Sequence, residues 1–584
     1  MTGLARPPLS AGRGTAQRDP SVRGSMGSGG RKANRSRDEW RITLVILAFL
    51  VAYGTVTIRM GVLALYDPEE PQIARSVQAA KPVRGEILDR HGALLAGNLP
   101  GWSLYANPKV ISDPKATAAA LAEILPSVPR EALEAKLTRD ARFVWVKRPI
   151  TPRQRQKVLE LGNPGLSFAA REVRVYPSGR LASHIIGGVK TENEGVTHAE
   201  QVGNAGIEHF ANARLSDPSQ AGRPLHLSID SAAQMTLQNV LLQGVHQFGA
   251  KGAAGILMDV KTGEIIAMAS LPDFNPNLPR QPFNGEAAYN PRFNRAAQGL
   301  YELGSTFKVL TAAIALEAGT ADPDMLIDTM NPVTYGKHKF RDKRPKPDQT
   351  VTDVVVRSSN VGAIRLALGV GTRRFKEALG KLGLFEVTPL ELAEARLAKP
   401  SLPQTWTDLS TITISFGHGM SVSPVHLAAA YATLANGGQR VRPTLIKGGQ
   451  ETGEQVFSPR TSAQMMRMLR ETVYRGTALR ADIPGYEVGG KTGTAEKFRP
   501  EGGYYHDRVL ATFAGVFPTS DPAYVLLVAL DEPTDPESGK REASRTAVPV
   551  AGEVIRRVAP LLGLRPREGI QERRYPSISV GLGD

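Results

Sequence analysis

Three short stretches of the chain carry side chains whose types and spacing can do covalent chemistry. Ser305-Thr306-Phe307-Lys308 offers a hydroxyl nucleophile and an amine base at positions i and i+3. At a helix start these share one face, and the helix N-terminus presents a backbone N–H to developing negative charge. Gly304 before the motif and VLTAAIALEA after it fit a loop entering a helix. Ser358-Ser359-Asn360 lies between an apolar and a helical run, where a turn or helix cap is the plain reading of such residues. Lys491-Thr492-Gly493-Thr494 follows Gly489-Gly490. Each motif alone is weak. Ser112-Asp113-Pro114-Lys115 repeats the first but reads as a helix-start turn, and Lys261-Thr262-Gly263 repeats the third but reads as a hairpin turn. The ordered trio at 305, 358 and 491 carries the weight, because serine acyl transfer needs a nucleophile, a base and donors for an oxyanion.

A phosphate-binding reading competes for the same lysine. Gly485 to Thr492 satisfies G-x-x-x-x-G-K-[ST], and VLLVALDE (525–532) imitates a nucleotide hydrolase strand. A phosphate loop needs a strand before it and a helix after it. RADIP precedes Gly485, and Pro500 and Gly502-Gly503 bar a full helix afterwards, so the context rejects this reading.

The elements that must position these residues are coarsely legible. At roughly 150 residues per domain, 584 residues suggest three or four folding units. Apolar residues at 41% and charged residues at 22% permit large cores and exclude wholesale disorder. The absence of cysteine excludes disulfides, thiolate zinc sites and a cysteine nucleophile. The formal net charge is +16, and residues 1–41 hold nine Arg or Lys against three acids. The rest of the excess reads as dispersed, with no dense basic block, which disfavours nucleic acid as a partner.

From Ile42 to Ile58 no charge occurs, and MGVLALY extends the apolar run past Arg59. About 20 helical residues cross a hydrocarbon core, so 42–65 reads as an uncleaved membrane anchor with Arg59 snorkelling. Basic residues before it and Asp67, Glu69 and Glu70 after it orient the N-terminus to the cytoplasm. Residues 1–41 read as a disordered cytoplasmic tail. Residues 75–98 read as strands and hairpins, 114–138 as a helix interrupted by Pro126 and Pro129, and 176–222 as turn-rich. Two strands are expected around the 261–263 turn, helices at 305–318, 353–368 and 424–436, and strands at 509–517 and 523–531. A closing helix is expected at 544–563, cut by Pro549 and Pro560. Strands at both ends with helices between imply an α+β domain.

With these motifs in order, the chain resembles the penicillin-binding serine acyltransferases, most closely the class B, division-specific (FtsI-type) transpeptidases. RGEILDRHGALLA (84–96), YPSGRLASHIIG (176–187), YELGSTFK (301–308), FGHGMSVSPVHLAAAYATLANGG (416–438) and FAGVFPTSDPAYVLLVALDEP (513–533) carry the resemblance. It implies a β-lactamase-like transpeptidase domain, an antiparallel sheet flanked by helices with a helical subdomain, over 222–565. A pedestal or dimerisation-type domain over 66–221 and an unassigned tail at 566–584 complete the arrangement. Ser359 stands where lactamase relatives carry Asp.

By the same resemblance, Ser305 attacks the penultimate carbonyl of a D-Ala-D-Ala stem peptide and releases D-Ala. Lys308 is the candidate base, its amine kept neutral by desolvation and by a second cation, Lys491. Ser358 relays the proton, and Asn360 orients Lys308 and the substrate amide. Lys491, Thr492, Gly493 and Thr494 hold the substrate carboxylate, and the backbone N–H groups of Ser305 and Thr494 form the oxyanion hole. No His/acid cluster calls for a metal or organic cofactor, and His418 and His506 read as structural. The implied partners are stem peptides, β-lactams, a polytopic glycan-polymerising glycosyltransferase and other division proteins, with the catalytic domain periplasmic on a bacterial inner membrane. An elongation-type enzyme, a β-lactamase and a membrane-anchored β-lactam sensor share the chemistry and stand as alternatives.

Overall fold

The computed structural model describes residues 35–65, 84–192, 200–220, 223–280, 282–286, 289–449, 453–499 and 501–567. The basic tail up to residue 34, residues 75–83 of the expected first hairpin and nearly all of the C-terminal tail lie outside the described residues.

Helix α1 (Arg35–Leu65) contains the apolar stretch Thr43–Gly61, with mean hydropathy 1.8. By length and composition it can cross a membrane. Its threonines suit that setting: Thr55 and Thr57 donate their hydroxyls to the carbonyls of Val51 and Tyr53, one turn back.

The body forms a separate compact unit. Its N-terminal part is built on β1 (Ile87–Leu88), β2 (Leu94–Ala106), β3 (Val144–Ile150) and β4 (Leu166–Val175). β2 pairs with β1, β3 and β4, while β1 pairs in parallel with β5 (Leu225–His226). The interrupted helix is two helices, Pro114–Ile124 and Arg130–Leu137, and Ser112-Asp113-Pro114-Lys115 is indeed a helix start with Asp113 as cap. The turn-rich 176–222 region holds more order than expected. It contains the paired strands Gly188–Glu192 and Glu200–Ala205 and the short helices Gly206–Phe210 and Asn212–Ser216.

A buried ionic knot ties this region together. Arg84 donates from Nε to Glu208 Oε2 at 2.8 Å, and Arg174 donates from Nε to Glu208 Oε1 at 2.6 Å. Arg84 also reaches the Glu208 carbonyl, Asn212 and Ser216. Glu208 is wholly buried, and two guanidinium groups compensate its charge.

The second part is a five-stranded antiparallel sheet assembled from distant segments. After α2 (Ser231–Gln247) come β6 (Gly252–Asp259) and β7 (Ile265–Leu271), paired around the Lys261-Thr262-Gly263 turn as the sequence predicts. The helical elements α3 (Phe307–Glu317), α4 (Val351–Arg357), α5 (Asn360–Val370), α6 (Pro424–Ala435) and α7 (Pro459–Arg475) follow. The chain then returns to the sheet as β8 (Gly489–Phe498), β9 (Tyr504–Phe517) and β10 (Tyr524–Asp531), and ends its described part with α8 (Ala547–Leu561). The sheet order is β8-β9-β10-β6-β7. α2 and α8 cover one face and α6 the other, which explains why the central strands are apolar on both sides.

Two expectations change. The predicted 353–368 helix breaks at Ser358, whose φ of 63° is left-handed, and restarts at Asn360 with Ser359 as cap. The closing helix is not cut: Pro549 falls in its first turn, where N–H groups have no intrahelical partner, and Pro560 falls in its last.

Because Glu208 neutralises two buried cations, Glu208→Ala leaves both unpaired. The expected loss is about 3–5 kcal/mol of stability, read as a lowered Tm of the full-length chain in detergent. An unchanged Tm would show that the knot is not a structural tie.

Candidate active site

Ser305 sits in the 3-10 turn Gly304–Thr306 that leads into α3, and Lys308 follows one turn on. α3 is almost wholly apolar and buried, so the lysine is carried inward with it and is only 2% exposed. Its amine donates to the Ser358 carbonyl at 2.6 Å and to the Ser358 hydroxyl at 3.1 Å. The left-handed backbone of Ser358 turns both acceptors toward the amine, a conformation that costs a non-glycine residue on the order of 1 kcal/mol.

That break is itself held. Ser359 Oγ accepts from the Gly362 N–H and donates to Asp342, whose carboxylate also accepts from the Asn360 N–H at 2.6 Å and the Val361 N–H at 3.2 Å. A carboxylate at the start of α5 also suits the helix dipole. Sequence reasoning missed Asp342, which lies in a lysine- and arginine-rich stretch without any motif around it.

Lys491 lies on β8, in register with Ala514 of β9, and is wholly buried. A strand, not a helix, continues from it, which removes the phosphate-loop reading on geometry as well. Thr492 Oγ1 is 2.8 Å from Thr477 Oγ1, and Thr494 Oγ1 accepts from the Ala543 N–H at 3.0 Å while remaining exposed. Gly493 has a steric reason: a Cβ there would stand 2.4 Å from the Leu303 carbonyl oxygen. The strand therefore presses directly on the loop that delivers Ser305. On the other side, the Gly304 N–H donates to the Gly417 carbonyl at 3.1 Å, and a Cβ on Gly417 would collide with Gly304.

Burial governs the electrostatics. It lowers Lys308 from the ordinary lysine range to about 7, with Asp342 pulling the other way. Lys491 is also lowered well below its ordinary value, by burial first and by the charge of Lys308 second. The expectation that a second cation depresses Lys308 is thus modified. Burial accounts for Lys308, and the repulsion between the two amines falls on Lys491.

The structure brings Lys308 and Ser358 into contact and sets Lys491 within electrostatic reach of Lys308. Among the described residues, no hydrogen bond joins Asn360 to Lys308, nor Ser305 to Lys308; both bonds of the amine go to Ser358. Asn360 instead engages Asp342 through its backbone.

His418, next to Gly417, stands in an aromatic wall beside the loop that carries Ser305. Its ring lies 5.3 Å from Phe416 and 5.7 Å from Tyr504, and Phe416 is 6.1 Å from Phe340. Glu302 accepts from the Gly419 N–H at 2.8 Å and from the Tyr504 hydroxyl at 3.1 Å. Burial holds His418 below the usual histidine range against the pull of Glu302. His506 is on the surface, 3.9 Å from Glu496.

The family described as "Penicillin binding protein transpeptidase domain" matches residues 253–556, and "Penicillin-binding Protein dimerisation domain" matches 79–219. The chain is 36% identical over 552 residues to the probable peptidoglycan D,D-transpeptidase FtsI of Caulobacter vibrioides, covering 92% of this chain and 91% of that one. It is 30% identical over 555 residues to the peptidoglycan D,D-transpeptidase FtsI of Escherichia coli K12, covering 90% of this chain and 92% of that one. Among solved structures, penicillin binding protein 3 from Mycobacterium tuberculosis, complexed with aztreonam, superposes with a TM-score of 0.62 at 23% identity. The match covers 85% of this chain and 99% of that one, and shows a shared fold.

The close approach of β8 to the nucleophile loop gives a steric test. Gly493→Ala is expected to part strand and loop and to abolish labelling of Ser305 by an electrophilic acyl probe. The Tm should change by no more than about 3 kcal/mol of stability implies. Undiminished labelling would show that the loop accommodates a side chain there.

Proposed function

The chain belongs to the class B penicillin-binding proteins, and on that premise we propose how its residues perform peptidoglycan D,D-transpeptidation in division. One observation supports the reading above the others. A buried lysine amine, held near neutrality at physiological pH, bonds a serine hydroxyl and lies one helical turn from the nucleophile.

The neutral Lys308 amine takes the Ser305 proton as Ser305 Oγ attacks the penultimate D-Ala carbonyl of a stem peptide. The negative charge on the carbonyl oxygen is met by the backbone N–H groups of Ser305 and Thr494; such a donor is typically worth about 3 kcal/mol. Collapse breaks the peptide bond, and the proton passes from Lys308 through the Ser358 hydroxyl to the departing amine of D-Ala. An acceptor amine from a neighbouring stem peptide then attacks the acyl ester, gives up its proton by the reverse relay and releases Ser305. Lys491, with the hydroxyls of Thr492 and Thr494, holds the terminal carboxylate, and Asn360 lines the substrate amide. Gly493 admits the strand to this position. A β-lactam enters the same chemistry as a strained acyl donor whose leaving group stays attached.

The anchor helix α1 holds the enzyme at the inner membrane, with the N-terminus cytoplasmic and the catalytic body periplasmic. The 66–221 segment serves as the pedestal for the catalytic segment 222–565. A polytopic glycan-polymerising glycosyltransferase and other division proteins are the proposed partners.

The test is the intact mass of the full-length chain in detergent after exposure to a penicillin. A stable adduct on Ser305, absent in Ser305→Ala, is expected. Only an unprotonated amine accepts a proton, so the acylation rate should rise with pH through about 7 and level off above it. Lys308→Ala should cost on the order of 10²–10⁴-fold in that rate. A flat profile across this range, or normal acylation by Lys308→Ala, would remove Lys308 from the role of base.

A further inference from the structure

Cations are not evenly dispersed over the body. Lys337, Lys339, Arg341, Lys343, Arg344 and Lys346 fall within ten residues, with Asp342 the one acid among them. The segment begins as a hairpin, Val333–Tyr335 paired with His338–Phe340, and continues as an irregular arm through Pro345 and Pro347, bent at 343–344 and 347–348. All six cations are exposed, and among the described residues none has an ion-pair partner. Asp348, two residues beyond Lys346, is exposed and forms no ion pair among the described residues, and two other nearby acids are engaged elsewhere. Asp342 points inward to Ser359 and the start of α5, and Asp328 pairs with Arg365 at 3.0 Å.

The arm is also fixed in place. Thr329 donates its hydroxyl to the Lys346 carbonyl at 2.6 Å, Gln349 donates to Thr329 at 2.7 Å, and both side chains are buried. The prolines restrict the backbone further. At the other end, Asp342 binds the turn whose Ser358 holds the Lys308 amine, and Phe340 abuts Phe416 in the wall beside the nucleophile loop. Mutual repulsion among six unpaired, positioned cations costs stability and has no compensating contact in the fold.

We propose that this basic arm is a binding subsite for the free carboxylates of the acidic stem peptide upstream of its D-Ala-D-Ala terminus. The inference rests on the transpeptidase reading and names the charge character of its substrate. The arm stands beside the site where such a peptide must lie, and its sign is complementary. The subsite raises local substrate concentration and orients the peptide, while Lys491 deals with the terminal carboxylate alone.

The test uses full-length protein in detergent and a variant combining Lys337→Gln, Lys339→Gln, Arg341→Gln, Lys343→Gln and Arg344→Gln, with Asp342 retained. Two probes are compared: a soluble acidic pentapeptide ending in D-Ala-D-Ala, and the same peptide with its internal carboxylates amidated. At low salt the variant should lose on the order of tenfold in kcat/KM for D-Ala release from the acidic peptide. It should match the parent on the amidated peptide, and added salt should erase the difference. A charge-preserving variant, Lys337→Arg with Lys339→Arg and Lys343→Arg, should behave as the parent. Acylation at saturating penicillin should be the same in all three proteins. Equal loss on both peptides, or no loss on the acidic one, would overturn the subsite. Failure of the parent chain to form any penicillin adduct would instead sink the transpeptidase reading. In that event, anisotropy of the labelled acidic peptide on the Ser305→Ala chain, with and without the glutamine substitutions, still decides whether the arm binds it.

Discussion

Two lysine amines are buried within electrostatic reach of each other, and most of the site's architecture follows from keeping them there. An ammonium ion moved into a protein interior forfeits several kcal/mol of hydration even after relaxation. Lys308 and Lys491 are 2% and 0% exposed, and neither has a carboxylate in direct contact. The chain accommodates them by letting their proton affinity fall and by giving each amine an uncharged acceptor. For Lys308 the acceptors are the carbonyl and hydroxyl of Ser358. Those two groups converge only because Ser358 is left-handed, and it is left-handed because the predicted single helix ends there. The Ser359 cap and the Asp342 carboxylate then secure the restart of the helix. For Lys491 the acceptor is a carbonyl of its own strand, and the sheet holds that strand against the nucleophile loop at Gly493.

The N-terminal part solves the same problem in the opposite way. Glu208 is as deeply buried as the lysines, but Arg84 and Arg174 lie on either side and hydrogen bonds satisfy it. The paired carboxylate acts as a tie between segments distant in sequence. An uncompensated amine becomes a proton acceptor near neutral pH. The difference between scaffold and reactive centre here is the presence or absence of a counter-charge, not depth of burial.

This contrast explains what was legible in the sequence. Four of the five sheet strands and most helices announce themselves through apolar runs, since both faces of β6 and β10 are covered, whereas β8 (GGKTGTAEKF) has no such run. The three motifs could be ordered because their spacing along local elements is a local property. A turn or cap at Ser358-Ser359-Asn360 was readable from its residue types; the left-handed backbone of Ser358 and the Asp342 carboxylate that holds the restart were not, because no motif surrounds Asp342. The order within 176–222 was hidden for a related reason: its core includes Glu208, and hydrophobic periodicity cannot signal a buried ion pair. The basic arm is contiguous in the sequence, but composition does not say which cations lack partners.

The buried amines and the arm together form a graded electrostatic environment. Outside, six exposed basic side chains act at a distance, within the Debye length of about 8 Å at physiological salt. Inside, burial and then the neighbouring Lys308 amine disfavour the charged form of Lys491. A carboxylate delivered to Lys491 on the proposed reading supplies the missing counter-charge, and the proton affinity of that amine rises. Once Lys491 is protonated, its repulsion disfavours a proton on Lys308. The carboxylate that identifies the donor terminus then helps to hold the proposed base in its accepting form. On the proposed reading, recognition of the leaving residue and activation of Ser305 are linked through the repulsion of two buried amines.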